Sequence, residues 1–301
     1  MPGGAVAVLL NPAAGRRSQR ALVPELLRRL RAGGYELDVV SSGTPAEAEQ
    51  DCAKLLAAGV HALVAIGGDG TVHTAVQAVA GTDVPFAVVP AGTGNDFAAA
   101  VGVPTDPLVA ADQVARALRD GVTTRPVDLA RVTGADGTVR WFAAVMAAGF
   151  DAVVNERANA MSWPPGDRRY DVAIFLELAR LRARDYRVVL DGSELRPEAI
   201  LVAVGNTAAY GGGIRICPDA DPCDGLLDVV VGRAMSRLTL VRLRGWAYRG
   251  VHVRHPLVDA YRARTVELHA EGITTYADGE RCLPLPVTIE CVPGALRLLS
   301  P

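Results

Sequence analysis

Ala62-Leu63-Val64-Ala65-Ile66-Gly67-Gly68-Asp69-Gly70-Thr71 sets an apolar run of strand length directly against three glycines gathered around one acid. Five apolar residues bounded by glycine read as a buried strand, and a Gly-rich strand end is where an open α/β sheet receives its ligands. Glycine lets the backbone approach an anion closely, while a carboxylate beside a phosphate makes sense mainly when a divalent cation screens the repulsion. No glycine stands three positions after Gly70, so the loop is not the G-x-G-x-x-G dinucleotide fingerprint.

The same alternation extends to both sides of this stretch. Strands are expected over 5–10, 35–40, 62–66 and 86–89, with helices at about 19–31, 45–58, 71–80 and 107–120, the pattern of an α/β domain with a parallel sheet. Pro45 after Thr44 suits a first helical turn, and Gly33-Gly34 suits a helix stop. From about residue 123 the texture changes to short β-branched runs separated by turn signals, among them Gly134-Ala135-Asp136-Gly137 and Asp191-Gly192. Helices are expected there only at 170–184 and at about 236–248. The division is therefore an α/β domain over 1–125 and a mainly-β domain over 126–291.

The 301 residues are enough for about two domains at roughly 100–200 residues each. Lys+Arg number 31 against 33 Asp+Glu, a net charge of −2, and Lys54 is the only lysine. A Walker A loop needs Gly-Lys-Ser/Thr and a protein kinase needs a strand lysine on the ATP phosphates, so both are excluded, and Schiff-base catalysis with them. Phosphate chemistry here must use backbone amides, arginine or a metal. Near-neutrality argues against nucleic acid as a partner. Five scattered cysteines without a C-x-x-C pair suggest neither a disulfide framework nor a zinc site, which fits a cytoplasmic protein. The apolar run 5–10 is too short to span a membrane, and no basic leader precedes it.

Two further strand ends carry comparable loops. Asn11-Pro12-Ala13-Ala14-Gly15-Arg16-Arg17 follows the first strand, where the next helix would offer N–H groups to a phosphate. Pro90-Ala91-Gly92-Thr93-Gly94-Asn95-Asp96 follows the fourth, with Asn95 or Asp96 able to cap the next helix. Each alone is compatible with an ordinary turn or cap. Three at one sheet edge point to an anion site.

In this order, Asn11 to Gly15, Gly67 to Thr71 and Gly92 to Asp96 resemble the nucleotide-binding signatures of the diacylglycerol kinase catalytic domain family. That family takes in bacterial soluble diacylglycerol kinases and lipid kinases, sphingosine kinases and ceramide kinases. The resemblance continues through Asp221-Pro222-Cys223-Asp224-Gly225-Leu226-Leu227-Asp228, Gly250-Val251-His252 with His255-Pro256-Leu257-Val258, and Asp278-Gly279-Glu280, and so covers nearly the whole chain. NAD kinases share the Gly-Gly-Asp-Gly-Thr loop and phosphofructokinases carry a close variant. The Gly92 to Asp96 loop and Asp278-Gly279-Glu280 favour the lipid branch.

The resemblance implies a two-domain kinase with ATP in a cleft between the α/β domain and a C-terminal β-sandwich, the last residues, 292–301, returning to the first domain. Gly67, Gly68, Gly70 and Thr71 would embrace the phosphates, and Asp69 would hold Mg²⁺ directly or through water. Asn11, Pro12, Gly15, Arg16, Gly92, Thr93, Asn95 and Asp96 would complete the nucleotide pocket, with Ser42 and Thr44 after the second strand. Glu280 would be the base that accepts the lipid hydroxyl's proton, with Asp278 orienting it or sharing the role. By spacing alone, Asp278-Gly279 reads as a hairpin turn. Asp221, Asp224 and the Leu226 carbonyl would hold a structural Mg²⁺. Pro222-Cys223 between the acids departs from the family pattern, and a solvated acidic loop is the other reading.

The expected activity is an ATP- and Mg²⁺-dependent lipid kinase that converts diacylglycerol to phosphatidic acid, cytoplasmic and meeting its lipid substrate at the membrane surface. A homodimer is compatible with this. From 233 to 264 there are eight arginines and one acid, Asp259; the segment reads either as a peripheral contact with anionic lipid or as a solvated helix and strand edges. Met161-Ser162-Trp163-Pro164-Pro165 reads as a lipid-entry lip or as core, and His73 as packing on its helix. The alternatives are an NAD-kinase-like enzyme with a soluble substrate and a catalytically silent lipid or nucleotide sensor on the same scaffold.

Overall fold

Alanine- and valine-rich runs build a parallel sheet from β1 (Ala5–Leu10), β2 (Glu36–Val40), β3 (Ala62–Gly67) and β4 (Pro85–Pro90), in the order β4-β3-β1-β2, in the computed structural model. The structure describes residues 4–10, 21–164 and 168–300. The register pairs Leu10 with Ile66 and Gly67 with Pro90, so β1, β3 and β4 end side by side. Helices α1 (Val23–Arg31), α2 (Pro45–Ala57), α3 (Asp69–Val79), α4 (Asp96–Ala100) and α5 (Pro107–Asp120) connect and follow these strands. Val6, Val8, Val64, Ile66 and Val89 pack against Leu26 and Leu30 of α1 and Ala111 and Leu118 of α5 in a dry core. Strands buried on both faces read as continuous apolar runs, which is how β3 appears in the sequence.

This first unit takes in the chain up to Leu129, residues 222–224 and the stretch from Val292 onward. It gains its last strand from the far end of the chain, because Arg297 and Leu298 of β17 (Val287–Ser300) lie parallel to Pro85 and Phe86 of β4.

The second unit holds residues 130–221 and 225–291. One antiparallel layer runs β13 (Val258–Ala263), β12 (Leu227–Arg233), β11 (Glu198–Gly205), β7 (Val145–Gly149), β15 (Thr274–Ala277), β16 (Glu280–Pro284), with β8 (Arg184–Asp185) on β11. The other pairs β10 (Ser193–Leu195), β9 (Arg187–Leu190), β14 (Thr265–His269) and the start of β17, while β5 (Thr123–Gly134) pairs with β6 (Val139–Phe142). Alternate residues such as Val202 and Val204, Val229 and Val231, Val266 and Leu268, and Val287 and Ile289 meet in one core between the layers, the period-2 pattern of a sandwich.

Three elements differ from the sequence reading. Helix α6 (Phe150–Ala160) was not expected; its buried positions are the small Ala152 and Ala158 around Val154, which leaves little hydrophobic contrast to detect. Helix α7 (Arg168–Ala179) stops short of the expected 184, because Arg184 and Asp185 pair with Ala199 and Glu198 instead. Helix α3 starts at Asp69 rather than Thr71, so half of the glycine loop is its first turn. Helix α8 (Arg237–Ala247) falls within its expected range. Among the described residues no helix is long and apolar enough to cross a membrane.

Candidate active site

In the first unit two glycine loops touch backbone to backbone. The Ala91 N–H donates to the Gly67 carbonyl at 2.9 Å, continuing the β3–β4 ladder into the loops. A Cβ added to Gly92 would stand 2.3 Å from the Gly68 Cα and 2.8 Å from its nitrogen, and one on Gly67 would stand 2.1 Å from the Thr71 Oγ1. No side chain fits at these contacts.

Asn95 tightens the same region in a way the sequence did not disclose. It stands at the N-cap of α4 in the left-handed region, φ 59°, yet its side chain makes no capping bond. Its Oδ1 instead accepts the Gly92 N–H at 3.0 Å while its Nδ2 donates to the Gly92 carbonyl at 3.1 Å. The start of α4 is held from the neighbouring loop, where Asp69 Oδ1 accepts the Phe97 N–H at 3.1 Å. Asp96 is buried beside it, and Thr93 is exposed.

The eleven-residue helix α3 begins at Gly68 with no side-chain cap. Within its first turn the Thr71 hydroxyl is buried and has no hydrogen-bond partner among the described residues. An uncapped helix start carries a positive end and unpaired N–H groups, and an orphaned buried hydroxyl costs about 1–3 kcal/mol until something pairs with it. A phosphate group satisfies both. Asp69, at the head of the helix, adds a hard oxygen suited to Mg²⁺.

The other expected nucleotide residues are less concentrated. Asn11, Pro12, Gly15 and Arg16 lie outside the described residues. Thr44 forms a capping box with Glu47 at the start of α2, and Ser42 Oγ donates to Asp51 Oδ2 at 2.9 Å. Ser42, Glu47, Asp51 and Lys54 line an open pocket of about 620 Å³ at the end of β2. The sequence reading missed Asp128, a buried acid of β5 whose Oδ1 accepts the Gly294 N–H at 2.8 Å and whose own N–H donates to the Pro222 carbonyl at 2.7 Å. It ties the returning strand and the 222–224 loop to the first unit, and one Asp in a strand gives no local signal of that.

In the second unit Asp278 and Gly279 form the two-residue turn between β15 and β16, with φ of 53° and 84°. Positive φ at both positions is the I′ geometry that suits a right-twisted hairpin. The buried Asp278 carboxylate accepts the Ala143 N–H at 3.0 Å and the Ala144 N–H at 2.8 Å. Both oxygens are thus engaged by backbone, which suits Asp278 to orienting the turn rather than to taking a proton. Glu280, the first residue of β16, is exposed and makes no ion pair among the described residues. Asp221 and Asp224 are exposed in the turn before β12. Among the described residues no group of three or more His, Cys, Asp or Glu could hold a metal ion. The Gly250-Val251-His252 motif packs the chain: Gly250 lies where a Cβ would meet Pro218, and the buried His252 shares a hydrogen bond with the Ile216 carbonyl.

Asp151, near the start of α6, was not singled out by the sequence because an acid in a first helical turn reads as ordinary helix chemistry. Its Oδ2 accepts the Tyr210 hydroxyl at 3.1 Å and its Oδ1 accepts the Ala152 N–H at 3.0 Å. Burial pushes its carboxyl up to about 6, against the pull of those hydrogen bonds. Tyr210 is raised well above its ordinary value by burial and by the Asp151 charge.

Comparison with known proteins gives a consistent picture. A family model described as the diacylglycerol kinase catalytic domain matches residues 5–132, and one described as the YegS C-terminal NAD kinase beta sandwich-like domain matches residues 144–300. A diacylglycerol kinase of Mycobacterium tuberculosis is 42% identical over 300 residues, covering 99% of this chain and 96% of the relative. A protein of Xanthomonas oryzae pv. oryzae named "Probable lipid kinase YegS-like" is 32% identical over 297 residues, covering 95% and 94%. The crystal structure of a diacylglycerol kinase from Bacillus anthracis superposes with a TM-score of 0.71 at 21% identity, covering 100% of this chain and 98% of that one, a likeness of fold.

Two outcomes follow from this geometry. Gly92→Ala is expected to force the loops apart, lowering stability by about 1–3 kcal/mol in denaturant unfolding and weakening nucleotide binding by isothermal titration calorimetry. For Asp151 the folded carboxyl holds its proton to about pH 6 while the unfolded one loses it near 3.8, so the stability it contributes falls as pH rises through that window. Asp151→Asn should therefore gain on the parent chain between pH 4 and pH 7 in unfolding free energy; a constant gap would contradict this.

Proposed function

The chain belongs to the diacylglycerol kinase family of lipid kinases, and from that premise we propose that it transfers the γ-phosphate of ATP to the free hydroxyl of diacylglycerol, giving phosphatidic acid. The observation that carries this reading is the uncapped start of α3, with its orphaned Thr71 hydroxyl, pressed against the Gly92 loop. These groups suit the triphosphate. In this reading backbone at Gly67, Gly68, Gly70 and Gly92 lies against the phosphates, the Thr71 hydroxyl donates to a phosphate oxygen, and Asn95 holds the second loop in shape.

Phosphoryl transfer depends mainly on positioning and charge neutralisation, so a chain with one lysine can perform it. Asp69 would hold Mg²⁺, which would supply that charge neutralisation. Glu280 takes the proton of the lipid hydroxyl as its oxygen bonds to the γ-phosphorus, and the bond from that phosphorus to the bridging oxygen breaks to release ADP. Asp278 positions Glu280 through the turn. Asp221, Asp224 and the Leu226 carbonyl would hold a second, structural Mg²⁺ through oxygen donors, and no chemical step is assigned to it. The name carried by the Mycobacterium relative supports diacylglycerol as acceptor, and the Gly92 to Asp96 loop favours a lipid over NAD.

Glu280→Gln is expected to lower kcat by about 10²–10⁴-fold in a mixed-micelle assay while leaving the thermal midpoint in place, because the side chain is exposed. Asp278→Ala should behave in the opposite order, losing about 1–3 kcal/mol of stability for each amide it leaves unpaired. Near-normal turnover in Glu280→Gln would remove it as the base. Lys54→Ala should change neither property, since Lys54 is exposed and its ion pair is a local one, with Asp51 at 2.8 Å.

A further inference from the structure

Helix α8 is amphipathic in a way a water-facing helix is not. Ser236 caps it, its Oγ accepting the Thr239 N–H at 3.2 Å, and Leu243 packs inward against Ile216, Val230 and Val258 on the outer face of the β11-β12-β13 layer. Leu243 and Ala247 are its buried residues. The opposite face of such a helix is ordinarily polar. Here Leu238 is 78% exposed, Val241 53% and the adjoining Tyr248 45%. At about 100° per residue these three and Gly245 fall in one stripe, on the side of the helix away from Leu243 and Ala247.

Arginines border that stripe on both sides. Arg242 projects along one edge by the same angular count, with Arg249 in the turn that follows the helix, and Arg237 and Arg244 along the other. All four are exposed, and residues 234–258 contain no Asp or Glu. Arg237 also donates to the Ala179 carbonyl at 2.6 Å, fixing the start of α8 against the end of α7. Isolated exposed apolar residues are normal on a protein, whereas an aligned stripe framed by cations is the pattern of a helix lying in a membrane interface.

We propose that α8 is the membrane-docking face of this protein, its Leu238, Val241 and Tyr248 stripe entering the acyl boundary of an anionic phospholipid bilayer while the flanking arginines meet the lipid phosphates. Charge complementarity selects this occupant. A second copy docking through the same face would set arginine against arginine, and the stripe stands on a convex helix rather than in a groove that would seat a peptide. The proposal rests on the lipid-kinase reading in one respect, that an enzyme acting on a bilayer lipid must reach the bilayer.

Vesicle co-sedimentation without nucleotide tests it. The full chain should sediment with phosphatidylcholine vesicles that contain phosphatidylglycerol and not with phosphatidylcholine alone, and added salt should weaken the binding. Leu238→Ser with Val241→Ser, and separately Arg242→Glu with Arg249→Glu, should each lower the partition about tenfold or more with the thermal midpoint unchanged. Glu280→Gln should bind vesicles like the parent chain although its turnover falls; a parent chain that binds vesicles but transfers no phosphate to diacylglycerol would refute the kinase reading and leave the docking face intact. Parent-like binding by either double variant, no binding by the parent chain, or a dimer in sedimentation equilibrium without vesicles that Leu238→Ser with Val241→Ser dissolves would overturn the docking face.

Discussion

Contact between the backbones of Gly68 and Gly92 is the constraint from which the candidate site takes its shape. The parallel register that pairs Gly67 with Pro90 delivers both loops to the same place, and only the missing side chains let them close. Once they close, Asn95 can clasp Gly92 and Asp69 can reach the Phe97 amide. The start of α3 is left without a cap, and its Thr71 hydroxyl without a partner among the described residues. A Ser or Asp cap there would be worth about 1 kcal/mol, and the open helix start is what the proposed nucleotide site uses.

The three acids proposed for chemistry are held differently, and the difference fits the separate roles proposed for them. Asp69 has one oxygen committed to the loop beside it. Asp278 has both oxygens committed to backbone amides and so fixes the hairpin turn. Glu280, one residue past that turn, is the exposed carboxylate. A base must be both placed and unencumbered, and dividing these duties between neighbouring acids provides that. The scarcity of lysine is compatible with the proposed mechanism, in which glycine-exposed backbone and a cation on Asp69 would take the place of the usual ammonium at the phosphates.

Much of the first unit was legible in the sequence because its signals are local. β3 is a continuous apolar run, and α2 opens with Thr44-Pro45 and a Glu47 capping partner; in the second unit the hairpin at Asp191-Gly192 likewise has its turn residues in place. What was not legible depends on distant partners. Asp278 meets Ala143 and Ala144 just before the neighbouring strand β7, 135 and 134 residues away in sequence, Asp128 meets Gly294, and Asn95 was read as a helix cap because nothing in the chain near it announces the Gly92 clasp. Helix α6 escaped detection because its buried face is alanine, and α7 was drawn too long because strand pairing overrode its periodicity. The arginine-rich segment that holds α8 read either as a lipid contact or as a solvated helix and strand edges, and the exposed apolar stripe of Leu238 and Val241 is what the sequence did not separate from the second.

Phosphate transfer itself is the most direct measurement. With Mg²⁺ and γ-labelled ATP, the full chain is offered diacylglycerol in mixed micelles and, in parallel, NAD in solution. The predicted result is label in phosphatidic acid and none in the phosphorylated dinucleotide. Label on NAD, or no transfer to any lipid hydroxyl, would contradict it.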